Sequence, residues 1–69
     1  MDMADIKINI GKKVKALRQE RKLTQEQLAE YVDKSREHIS CIENGKHLPT
    51  LETMFAFSEY FKVDIKDFF

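Results

Sequence analysis

Apolar residues along this chain recur at helical spacing, and no stretch alternates long enough to make a convincing strand. Ile10, Val14, Leu17 and Arg21 step by four, three and four to form one stripe, with Lys12, Lys13 and Lys15 mostly away from it and Arg18 on its flank. The pattern predicts a helix from about Ile6 to Arg21, preceded by a disordered tail over residues 1–5. Thr24 followed by Gln27 reads as a capping box, in which the hydroxyl satisfies an orphan backbone N–H and the amide reaches back. Leu28, Tyr31 and Val32 then define a buried face, with small Ala29 at its edge. The pattern breaks at Asp33-Lys34. Ser35 is the N-cap candidate of a third helix, with Ile39 and Ile42 inward and Asn44-Gly45 as its stop. Past a loop holding the only proline, Thr50 caps a fourth helix with Leu51, Met54, Phe57 and Phe61 inward. Asp64 caps a last short turn bearing Ile65, Phe68 and Phe69. These elements predict an all-α bundle of four or five helices over residues 6–69.

Sixty-nine residues make one small domain with a marginal core, since a chain this short buries only ~60% of its unfolded surface. One cysteine excludes an internal disulfide and a cysteine-built zinc cage. No apolar run approaches the ~20 residues of a membrane span, and the start lacks the pattern of a signal peptide, so a cytoplasmic protein is expected. The formal net charge of zero argues against a nucleic-acid partner only until it is resolved along the chain. Residues 7–22 carry a net +6, whereas residues 23–69 carry −4. Partners respond to where charge sits, so the total decides little.

Residues 24–45 hold the functional constellation: Thr24-Gln25, Leu28-Ala29, Val32, Ser35, Ile39-Ser40, Ile42-Glu43 and Gly45, followed by Lys46 and by Pro49-Thr50-Leu51. With the closing Val63, Ile65 and Phe68-Phe69, this order and spacing resembles the helix-turn-helix of the phage Cro and repressor type, the XRE-like family. The resemblance runs from about Ile8 to the last residue. It implies a compact lambda-repressor-like domain that binds double-stranded DNA as a homodimer, with its third helix in the major groove.

The helical wheel supports this independently. With Ile39 and Ile42 inward, Glu37, Ser40, Cys41 and Asn44 fall on the opposite face, and Arg36 and His38 lie at its edges. Arg36, Glu37, Ser40 and Cys41 are the candidate base contacts. Arg36 suits a bidentate bond to guanine O6 and N7, and Glu37 can accept from a cytosine N4 amine. Gln25, at the start of the second helix, is placed to grip a phosphate, and the resemblance assigns it such a clamp. By the same resemblance Ser35, Asn44 and Lys46 are backbone contacts, and Arg18 and Glu43, each beside a core stripe, form a partly buried structural ion pair. Lys22, Asp33 and Lys62 stand between helices where the family often has glycine, a residue that supplies positive φ without strain. Cys41 on this face reads as a small side chain permitting close approach rather than as a redox sensor.

His38, His47 and Cys41 are too few and too scattered to argue for a metal, and no cofactor or small-molecule ligand is indicated. A cysteine and a histidine without a third orienting group do not make a catalytic site, so no enzyme is expected. The expected function is a sequence-specific regulator acting on a palindromic operator. Its homodimer would form through the C-terminal helices, where Phe55, Tyr60 and Phe69 lie outside the main stripe. The alternative is a protein-interaction module or antitoxin-like partner on the same fold.

Overall fold

A computed structural model describes residues 2–69. Among them the chain forms α1 (Met3–Glu20), α2 (Gln25–Tyr31), α3 (Arg36–Glu43) and α4 (Leu51–Phe61), closed by a 3-10 turn over Ile65–Phe68. The family-like order is therefore four helices and a turn, all-α. α1 begins three residues before the expected Ile6, because the Asp2 carboxylate accepts from the Asp5 N–H at 3.0 Å and supplies an N-cap. Residues 2–5 are thus cap and first turn rather than a tail, and Met1 lies outside the described residues.

The other helix starts follow the predicted chemistry. Thr24 and Gln27 exchange both bonds of the capping box, at 3.0 and 2.8 Å. Ser35 Oγ accepts from His38 N–H at 3.1 Å, and Thr50 Oγ1 from Thr53 N–H at 3.2 Å. At the closing turn the bond runs backward, with the Asp67 carboxylate accepting from Asp64 N–H at 3.2 Å.

The helix ends share one device. Lys22, Asp33, Gly45 and Lys62 all take positive φ, between 57° and 73°. Each is followed by a backbone N–H that reaches five residues back, namely Leu23 to Arg18, Lys34 to Ala29, Lys46 to Cys41 and Val63 to Ser58. This is the Schellman stop, which satisfies carbonyls that a helix end leaves orphaned. Only one of the four positions holds the glycine that adopts it freely; lysine and aspartate adopt it at a cost of about 1 kcal/mol each.

The core gathers Ile10, Val14 and Leu17 of α1, Leu28 and Ala29 of α2, Ile39 and Ile42 of α3, and Met54, Phe57 and Phe61 of α4, with Val32 and Phe68 from the connections. Phe57 sits between Phe61 and Phe68, ring centroids 6.4 and 6.3 Å away. Three expected inward positions turn out. Tyr31, the last residue of a two-turn helix, is 64% exposed and stacks on Tyr60 at 4.4 Å. Leu51, the first residue of α4, is 73% exposed, since its side chain leans back over the helix start and away from the core. Arg21 is exposed as the C-cap of α1, and its guanidinium crosses to the Phe61 carbonyl at 2.6 Å and covers the Phe61 ring.

One contact sets the seat of α3. A Cβ on Gly11 would stand 2.3 Å from the Ile42 carbonyl oxygen and 2.9 Å from that of Glu43. Only a glycine lets the α1 backbone come so close to the C-terminal turn of α3.

Candidate nucleic-acid interface

α3 is positioned from three sides: by its own buried Ile39 and Ile42, by Gly11 of α1, and by an ion pair at its last residue. The Arg18 guanidinium meets the Glu43 carboxylate through two bonds, Nε to Oε2 at 2.6 Å and Nη2 to Oε1 at 3.1 Å. Arg18 Nη1 also donates to the Leu23 carbonyl at 2.7 Å, which ties the α1–α2 turn to the same cluster. Gln25 Nε2 donates to Glu43 Oε1 at 3.1 Å. The expected ion pair is therefore present and carries Gln25 with it. One of the two amide hydrogens of Gln25 is thereby spent on Glu43.

The outer face of α3 is polar, as the wheel requires. Arg36 and Glu37 are exposed and lie 3.6 Å apart, a surface pair in high dielectric that contributes little to stability and leaves both free to be recruited. Cys41 and Asn44 are exposed, and Ser40 is half-buried, accepting from Asn44 Nδ2 at 3.4 Å. Lys34, on the α2–α3 turn, and Lys46, on the loop after α3, are exposed, so basic side chains flank the helix at both ends.

Ser35, Glu37, Cys41 and Lys46 are brought together around one open groove of about 330 Å³, completed by His38 and His47. Arg36, Ser40, Asn44 and Gln25 do not line it. The two imidazoles meet edge to face, centroids 5.0 Å apart at 70°. Burial, the facing His47 and then Lys34 hold the His38 imidazole below its ordinary value of 6.5. Its Nε2 is buried without a hydrogen-bond partner. The helical period marks His38 only as an edge residue and leaves His47 unmarked, because the turn at Gly45 that folds the loop back over α3 has no period of its own. No group of three or more His, Cys, Asp or Glu side chains is placed to hold a metal ion among the described residues. No helix among them is long and apolar enough to cross a membrane.

The helix-turn-helix family profile matches residues 14–68. An immunity repressor protein of Bacillus phage phi105 is 45% identical over 49 residues, covering 71% of this chain; the chain spans 34% of that repressor's length. The control protein C.MunI of a Mycoplasma sp. is 38% identical over 68 residues, covering 97% of this chain and 92% of its own. Among solved structures, the restriction-modification controller protein C.AhdI of Aeromonas hydrophila superposes with a TM-score of 0.88 over the whole of both chains, at 20% identity, and so has the same fold. Two hydroxyl-capped helices meeting at a positive-φ turn, an uncovered polar face on the second, and a match over most of the chain lead to one conclusion: the chain belongs to the Cro/repressor-type helix-turn-helix family of DNA-binding regulators.

Proposed function

We propose that the protein is a cytoplasmic transcriptional regulator that binds a palindromic operator as a homodimer, with α3 in the major groove and no catalytic step. The observation that carries this is the division of α3 into two faces. Ile39 and Ile42 are fully buried, whereas Arg36, Glu37, Cys41 and Asn44 face outward with no other element over them. A short polar helix left uncovered beside exposed lysines suits base edges in a major groove framed by phosphates. Arg36, Glu37, Ser40 and Cys41 read bases in this scheme; Gln25, Ser35, Asn44 and Lys46 hold the backbone. The regulatory names of the phage immunity repressor and the control protein support the reading.

One helix reads only a few base pairs, and a second copy doubles the contacts on half-sites whose centres lie ~34–36 Å apart. Exposed apolar residues on α4 and at the chain end supply the joining surface. Leu51 and Phe55, one turn apart, and Phe69 are 73%, 53% and 64% exposed. Tyr60 contributes less than the sequence suggested, because it is half-buried and stacked on Tyr31.

Selection of bound sites from random duplex DNA tests the whole reading. The expected product is a two-fold symmetric site, and Arg36→Ala relaxes one position per half-site at a cost of ~1–3 kcal/mol. No enrichment, or a one-to-one complex on an asymmetric site, would overturn it.

A further inference from the structure

We infer that the groove between the start of α3 and the loop after it seats a phosphodiester of the DNA backbone, and that its imidazole pair takes up a proton from solvent as the phosphate enters. The inference rests on the DNA-binding reading above. It gives a ligand to His38 and His47, which that reading leaves unused.

Ser35 precedes α3 and Lys46 follows it, yet both line this one groove, and both are backbone-contact candidates. A phosphate held between them lies over the two imidazoles. The groove shares Glu37 and Cys41 with the base-reading face, so a duplex engaged by α3 brings its backbone past the opening.

The groups that face the pair are Lys34 and Ser35 on the α2–α3 turn, Glu37 and Cys41 on α3, and Lys46 on the following loop. Glu37 is the one carboxylate among them, and its oxygen is 3.6 Å from the Arg36 guanidinium, which offsets its charge. An anion fits this balance better than a cation.

His38 Nε2 has lost water and gained no partner. A phosphate in the groove sets its negative charge beside the imidazole pair, which favours the imidazolium without a direct bond to the shielded Nε2. In the free protein burial, His47 and Lys34 all disfavour that proton. The bound state therefore holds more protons than the free one, and affinity is greatest at low pH and lost as pH rises. The free fold has the opposite sign. Unfolded His38 binds its proton more readily than folded His38, so His38 makes the fold less stable as pH falls through 6.5. Acid thus weakens the domain while tightening its complex.

The test is fluorescence anisotropy on a selected duplex, from pH 8 to pH 6 at constant ionic strength, with the full chain. Uptake of one proton per half-site tightens binding by up to tenfold per pH unit for each half-site engaged, and a gain of at least about threefold across the range is expected. The chain has only two histidines, so His38→Gln/His47→Gln should give a flat profile. His47→Gln alone, a change in an exposed loop, should reduce the slope and keeps the test open if His38→Gln unfolds. Neutral methylphosphonate at a single backbone position per half-site should remove the slope as well. Histidine proton NMR with inorganic phosphate alone should show little change where duplex shows a large one. A flat wild-type profile, a slope surviving in the double variant, or equal responses to inorganic phosphate and duplex would each overturn the inference while leaving DNA binding intact. Absence of binding at every pH would remove the parent reading and this one together.

Discussion

Arg18→Ala is the most informative single perturbation of the scaffold, because what it leaves behind is a buried charge. The Glu43 side chain is 1% exposed and that of Arg18 12%. Truncating Arg18 deletes both guanidinium bonds to Glu43 and leaves the carboxylate with the Gln25 amide alone. Breaking a buried pair in this way costs roughly 3–5 kcal/mol. A domain of this length has a total stability of roughly 3–10 kcal/mol, so the variant stands at the edge of unfolding. Glu43→Ala should cost less, about 2 kcal/mol, since Arg18 keeps the Leu23 carbonyl and its charged end reaches water. The double variant strands no charge and should fall short of the summed single costs by about 2 kcal/mol. Urea unfolding followed by circular dichroism on the four proteins measures the cycle, with Arg18→Lys as a milder probe that keeps the charge and loses the fork. Additive costs, or a Glu43 variant less stable than the Arg18 variant, would show that desolvation of Glu43 does not govern the site.

Gly11→Ala adds a Cβ that needs α3 to move by about 1 Å; overpacking of roughly 1–3 kcal/mol outweighs the ~1 kcal/mol gain in helix propensity, so both melting temperature and DNA affinity should fall, and a more stable variant would refute the close approach. Lys62→Gly relieves the positive φ of 59° at the end of α4 and should raise stability by about 1 kcal/mol, some 4–8 °C in melting temperature; a lower midpoint would count against strain there. Lys46→Ala should weaken binding alike on all sequences and flatten the salt dependence by roughly one unit per half-site, whereas an unchanged slope would put Lys46 off the backbone.

The starts of α2, α3 and α4 and the Asn44-Gly45 stop were legible in the sequence, whereas the three stops without glycine were not, and the difference is physical. Thr24, Ser35 and Thr50 cap through their own side chains, so residue type carries the signal. A stop depends on backbone φ, and Lys22, Asp33 and Lys62 advertise it poorly; only the family resemblance marked those positions. Periodicity likewise served the long α1 and failed at helix ends. Tyr31 ends α2 and stacks on Tyr60 at the surface, whereas Leu51 begins α4 and leans back past its start, beyond the core.

The candidate site divides along the same line. The outward face of α3 follows from two isoleucines and a helical period, so Glu37, Cys41 and Asn44 could be assigned without coordinates. Gly11 and His47 could not, because each matters through a backbone or ring far away in sequence. Gly11 lies in α1 yet is required by the carbonyl of Ile42, and His47 gains meaning only where Gly45 folds the loop back onto His38. Gly11 belongs to the seat of α3 and His47 to the groove beside its reading face. The residues that read DNA can therefore vary with the operator while the seat stays constant. Substitutions at Arg36 or Glu37 should redirect specificity in a stable domain, whereas changes at Gly11, Arg18 or Glu43 should reduce binding to every sequence alike.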